Sequence, residues 1–198
     1  LIVFIVVGLT TCLVQGQSQK TVSVRIDPDD WNQFIYTQSM GKTDTLTFLY
    51  WVKRNKDQFA RVAWQRSSKV KPSLSLIYGF GTQLLSNKAG TDPQAYGLVG
   101  ARLANKKTSA ISLMNFNISF RRPLLVKNMT AVQTKLNKVW TLGYRHEIIK
   151  SSKGLWPEVR VGGTADYALN KKLSLGIWVY RNAKTSRFGG TYIVSYKF

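Results

Sequence analysis

Residues able to do covalent or acid–base chemistry are sparse in this chain. One histidine, His146, stands beside Glu147 in YRHEII, and the single cysteine, Cys12, lies in a leading apolar run. A histidine-rich zinc site cannot be assembled from one imidazole, and neither a Cys–His nor a Ser-His-Asp relay can be read. His146 reads as an ordinary strand residue. A glycosidase needs two carboxyl groups held in partnership. Beyond residue 57 the candidates are Asp92, Glu147, Glu158 and Asp166, and no spacing marks two of them as a pair. FGTQLL and RVGG lack the glycine spacing and following lysine of a phosphate loop. These residues read as a protein that is not an enzyme, with no metal and no cofactor.

The chemistry the sequence does offer is ionic. Its 29 Lys and Arg stand against 9 Asp and Glu, for a formal charge of +20. Residues 17–57 hold six cations and five carboxylates, so the remaining 23 and four place an excess of +19 after them. That exceeds what solubility requires, and such a field attracts anions. Lys106, Lys107, Arg121, Arg122, Lys171, Lys172, Arg181, Lys184 and Arg187 are the expected contacts to an anionic surface. Most of the cations read as lying between apolar strands, where they remain in water. Trp156, Trp178 and Tyr180 are candidate aromatic contacts, since amphipathic rings suit a membrane boundary. The partners implied are anionic lipid, lipopolysaccharide or a sulphated glycan, with a host protein as the other class. Nucleic acid is disfavoured because no recognised binding module is present. The chain reads as a monomer.

The elements that must position these groups are strands. TVSVRI (21–26) alternates and stops at DPDD. DDWNQFIY fits either a capped short helix or a strand. TLTFLYWVK (45–53) and QFARVAWQR (58–66) form a hairpin, and SLSLIYGFG (73–81) follows. Residues 85–93 read as a loop, YGLVGARL as a strand, and 109–120 as a long strand that bends. The residues after Pro123 are hard to read. KVWTLGYRHEII, WPEVRVGGTADYAL, KKLSLGIWVY and GGTYIVSYKF close the chain. In the penultimate strand Leu173, Leu175, Ile177 and Val179 share one face, and Ser174, Gly176, Trp178 and Tyr180 the other. Both faces are apolar enough to be covered. No stretch keeps a 3.6-residue period. The expectation is an all-β, antiparallel β-barrel or sandwich of about eight to ten strands, with Gly143, Gly162, Gly163, Gly176, Gly189 and Gly190 supplying bends and bulges.

Residues 1–16 carry no charge and end in Val14 and Gly16, which suit a signal cleavage site. They are read as a signal peptide, and 17–198 as a single β domain. Cleavage would remove Cys12 and leave no thiol for a disulfide. Asn117 (NIS) and Asn128 (NMT) match the N-glycosylation sequon.

Two resemblances follow. The ending GGTYIVSYKF, with Tyr192, Val194, Tyr196 and a terminal Phe198, resembles the closing strand of bacterial outer-membrane β-barrels. That resemblance implies an eight-stranded barrel in the outer membrane. GGTADYALNKKLSLGIWVYR and FGGTYIVSYKF resemble in texture the attacin-type antibacterial proteins of insects: secreted, basic, β-rich. That likeness implies binding to a bacterial envelope and its disturbance. The preferred expectation is a secreted, extracellular, cationic defence protein. The alternatives are the outer-membrane barrel and a secreted host-modulating or salivary effector.

Overall fold

A computed structural model describes residues 19–27, 31–53, 57–87, 90–153 and 157–198. The signal-peptide reading and Trp156 lie outside the described residues. Twelve strands run in chain order: β1 Lys20–Ile26, β2 Trp31–Met40, β3 Asp44–Lys53, β4 Gln58–Lys71, β5 Leu74–Asn87, β6 Gly90–Ala104, β7 Thr108–Ser119, β8 Leu125–Lys135, β9 Trp140–Ser151, β10 Glu158–Ala168, β11 Leu173–Asn182 and β12 Phe188–Lys197. Each pairs antiparallel with its chain neighbour, and β12 pairs with β1, so the sheet closes into a barrel. The expected all-β antiparallel barrel is present, with twelve strands instead of eight to ten.

The miscount has local causes. WNQFIY, the described part of DDWNQFIY, lies in β2. The expected loop at 85–93 is largely strand, because β5 continues to Asn87 and β6 begins at Gly90. The illegible stretch after Pro123 contains β8, LVKNMTAVQTK. Its register places Lys127, Met129, Ala131 and Gln133 on the inward face. A cation and an amide on the buried side hide the apolar alternation that marks a half-buried strand.

Closing the barrel fixes two faces by the period of two. Phe80, Val99, Ile118, Leu142, Val179, Tyr192 and Val194 point outward and are exposed. The inward row carries Arg25, Arg61, Tyr96, Lys127, Arg145, Glu147, Arg160 and Trp178. This is apolar outside and polar inside, the reverse of a soluble domain.

Glycines let neighbouring strands approach closely, at some of the positions expected to supply bends. A Cβ at Gly162 would overlap the Val179 carbonyl oxygen on β11, and one at Gly143 would overlap that of Val132 on β8. The neighbouring strand approaches so closely there that only glycine fits. Gly163 and Gly190 have room for a side chain and carry no such role. A register shift between Lys69 and Lys71 adds one irregularity.

Candidate functional site: a two-walled lumen

The first wall of the lumen is formed by β1 and β8–β12. At its centre the Trp178 indole is buried, 1% exposed, with the Tyr180 ring 4.5 Å away. The Arg145 and Arg25 guanidiniums lie 4.5 and 5.6 Å from the indole centroid, within the range of cation–π attraction. Glu147, 1% exposed, accepts a 2.8 Å ion pair from Lys127 Nζ on one oxygen and bonds Arg145 through the other. Register explains the convergence: Glu147 faces Met129 on β8 and Arg160 on β10, so cations from both flanking strands surround it. Arg25 lies within Coulombic reach of Arg145, Arg160, Glu147 and Asp27. Arg25 Nη2 donates to Thr191 Oγ1 at 3.4 Å, and Thr191 and Tyr180 donate to Asp27 Oδ2 at 3.0 and 3.2 Å. Arg160 pairs with Glu158 at 2.7 Å, and Asn182 donates to the same oxygen at 2.9 Å.

The opposite wall is formed by β4–β7 and works differently. Arg61 donates from Nε and Nη2 to Gln83 Oε1 at 2.9 and 2.7 Å. Gln83 donates to Gln94, and Gln94 to Asp92 Oδ2 at 2.8 Å. Asp92 also takes Ser119 Oγ at 2.8 Å and Arg122 Nε at 3.1 Å. The Arg61 guanidinium stacks 3.8 Å from the Tyr96 ring centroid, with Phe59 5.1 Å away, and Tyr96 donates to Asn115. Below them Ala63, Ile77, Tyr96 and Leu98 pack with Ile111 and Leu113 as the apolar cluster. Aromatic faces and oriented amides hold this half-buried cation.

The expected contact residues are not brought into one surface. Lys171 and Lys172 sit in the β10–β11 turn, at the end of the barrel where β1 begins and β12 finishes. Arg181 lies near the far end of β11, and Lys184 and Arg187 lie in the β11–β12 turn, at the opposite end. Lys106 and Lys107 join the first group; Arg121 and Arg122 join the second. Arg122 is engaged by Asp92, and Arg121 Nη1 donates to the Thr91 carbonyl at 3.2 Å. Trp178 and Tyr180 are corrected from surface contacts to lumen residues, because their face of β11 is the inward one. The sequon residues lie in the wall. Asn117 faces the lumen opposite Tyr96, with its Oδ1 buried, and Asn128 faces outward between Met114 and Ile148. Neither position projects into solvent from a loop, where a glycan has room. His146 lies on the outer face opposite Thr130 and Val161.

The lumen cations are absent from the expected contacts because those were sought between the strands. Arg25, Arg61, Lys127, Arg145 and Arg160 lie within strands. The signal was available: each is flanked by non-charged, mostly apolar residues on at least one side, at the inward parity of its strand, as in VSVRI, FARVAW and EVRVGG.

Comparison with known proteins bears on the fold. No family model and no curated relative matches the chain. Among solved structures, the KdgM porin in complex with disordered oligogalacturonate matches at a TM-score of 0.72 with 14% identity, over 91% of this chain and 99% of that one. The likeness is one of fold, a closed antiparallel barrel. A second KdgM porin structure matches at 0.69, and the NanC porin at 0.64 with 9% identity, over 91% of this chain and 98% of that one. These neighbours agree with the outer-membrane barrel resemblance in the closing strand and lend nothing to the attacin-type one.

Proposed function

We propose that this chain is an outer-membrane porin whose narrow lumen passes small anionic solutes, acidic oligosaccharide fragments being the substrate class. The observation that carries the reading is the convergence of Arg25, Arg61, Lys127, Arg145 and Arg160 inside a barrel whose outer wall is apolar. The exposed outer row would be a liability in water and suits lipid. Twelve strands enclose more space than an eight-stranded barrel and less than a sixteen-stranded porin, which suits an extended chain or small solute. Around Trp178 the cations Arg25, Lys127, Arg145 and Arg160 stand with three carboxylates, Glu147, Asp27 and Glu158, while Arg61 on the opposite wall has no ion pair among the described residues. The local excess is positive, and a low-dielectric wall focuses such a field. A neighbouring porin of the same fold was obtained with an oligogalacturonate, an anionic glycan, which supports the substrate class. The role is passage, not catalysis.

The test is reconstitution of the full chain in a planar bilayer with a potassium chloride gradient. The reversal potential is expected to lie on the chloride side, and oligogalacturonate added to one chamber is expected to interrupt the current. Cation preference, or no conductance from folded protein, would reject the reading.

A further inference from the structure

The rim at one end of the barrel points to a lipid partner. At the end where β1 begins and β12 finishes, the strands are joined by turns at 41–43, 72–73, 105–107, 136–139 and 169–172. Six lysines, Lys42, Lys106, Lys107, Lys138, Lys171 and Lys172, stand in these turns, and all six are exposed. Among the described residues of this rim the carboxylate is Asp44, which Arg66 already holds at 2.9 Å. Among the described side chains of this rim, the lysines therefore have no counter-charge to spare.

Their placement is built. Three of the turns share an Asn-Lys step: ANKKT, LNKVW and LNKKL. In each, the asparagine Oδ1 accepts from two backbone amides ahead of it. Asn105 takes Lys107 and Thr108 at 2.9 and 2.6 Å; Asn137 takes Val139 and Trp140 at 2.9 and 2.8 Å; Asn170 takes Lys172 and Leu173, both at 2.8 Å. The asparagine closes the turn and holds the lysine backbone at the rim.

Immediately above these turns the outer wall carries an aromatic step. Trp140 packs on Tyr167 with centroids 4.7 Å apart, and Tyr196 on Phe198 at 4.9 Å. Trp140 and Phe198 are 42% and 67% exposed. Aromatic rings at such a level mark the boundary between acyl chains and headgroups. The lysines then lie at headgroup depth.

We infer that the lysine turns bind the anionic phospholipid headgroups of the leaflet at the turn end, which in barrels with short turns is the periplasmic one. This rests on the membrane placement proposed above but not on the lumen. The experiment reconstitutes the full chain in bilayers of phosphatidylcholine with a minority of phosphatidylglycerol, and measures by electron spin resonance how spin-labelled forms of each lipid associate with the protein. Wild type is expected to prefer the phosphatidylglycerol label about threefold, and raised salt is expected to erase the preference. The combined variant Lys106→Gln, Lys107→Gln, Lys138→Gln, Lys171→Gln, Lys172→Gln is expected to lose it. The loop-end variant Arg121→Gln, Lys184→Gln, Arg187→Gln is expected to keep it. Equal association of both labels with wild type, retention in the lysine variant, or loss in the loop-end variant would each overturn the assignment. Conductance recorded on the same samples separates the two readings. A conducting barrel without lipid preference removes only the headgroup site, and lipid preference without conductance removes only the porin.

Discussion

On the wall of β1 and β8–β12, half-buried cations are held by carboxylates, the buried Glu147 between Lys127 and Arg145 and the partly exposed Glu158 against Arg160. On the wall of β4–β7, Arg61 is held by the Tyr96 ring and the side chain of Gln83, and the nearest carboxylate along its hydrogen-bond chain, Asp92, is two amides away. The difference teaches how a lumen can display positive charge in two grades. A cation paired with a carboxylate is largely neutralised toward a passing solute. A cation solvated by amides and a π-face keeps its net charge. The second wall, with fewer charges, is therefore expected to set much of the selectivity, and the first to hold the barrel's shape.

Breaking the ionic wall gives the largest expected effect. Glu147→Gln leaves Lys127 and Arg145 buried without their shared counter-charge, at a cost of about 3 kcal/mol. Thermal unfolding in detergent, followed by near-ultraviolet circular dichroism, would read this as a lower midpoint. Channels that survive should become more anion-selective. An unchanged midpoint would show that the cations relax into water.

Arg61→Gln tests the other wall. Loss of stacking and of two hydrogen bonds is expected to lower stability by about 2 kcal/mol. The sharper readout is the reversal potential, which should move toward the potassium side although Arg25, Lys127, Arg145 and Arg160 remain. If selectivity is unmoved, the ionic wall carries it and the division of roles above fails.

Gln94→Leu cuts the amide chain and takes the acceptor from Gln83, while Asp92 keeps Ser119 and Arg122. About 1 kcal/mol is expected, with a selectivity change smaller than that of Arg61→Gln. An effect on selectivity equal to that of Arg61→Gln would mean that Asp92 acts on Arg61 through the chain.

Arg122→Gln is expected to do least. Its partner Asp92 is buried, but the arginine side chain is 37% exposed and screened, so about 0.5 kcal/mol is anticipated with no shift in reversal potential. A large loss would make the Asp92 cluster a structural anchor of the second wall.

Particular strands show why some of this was legible in advance and some was not. β11 and β12 alternate Leu173, Leu175, Ile177, Val179 and Tyr192, Val194, Tyr196 on one face, and they were read as strands at sight. β8 was not, because Lys127 and Gln133 occupy the face where a soluble strand carries its apolar residues. β2 was ambiguous because WNQFIYTQSM has amides on both faces. The expected anion contacts at turns are there for Lys106, Lys107, Lys171 and Lys172, whereas Arg181 lies within β11. Arg145 and Arg160 stand inside strands that the sequence already marks, on a face it does not identify as the lumen. Trp178 and Tyr180 stood in the sequence as candidate contacts, and nothing local says which face of their strand becomes the lumen.

The residue order by itself determined strand periodicity, the asparagine-lysine turns and the excess of positive charge, because these depend on neighbours one to four places apart. Strand number, closure of β12 on β1 and the meeting of Glu147 with Lys127 and Arg145 were decided by the tertiary structure. Register between strands sets which side chains share a wall, and closure decides which of two chemically distinct faces looks inward. That is long-range information, carried by the pairing of residues as distant as Ser23 and Ser195, whose hydroxyls meet at 2.7 Å.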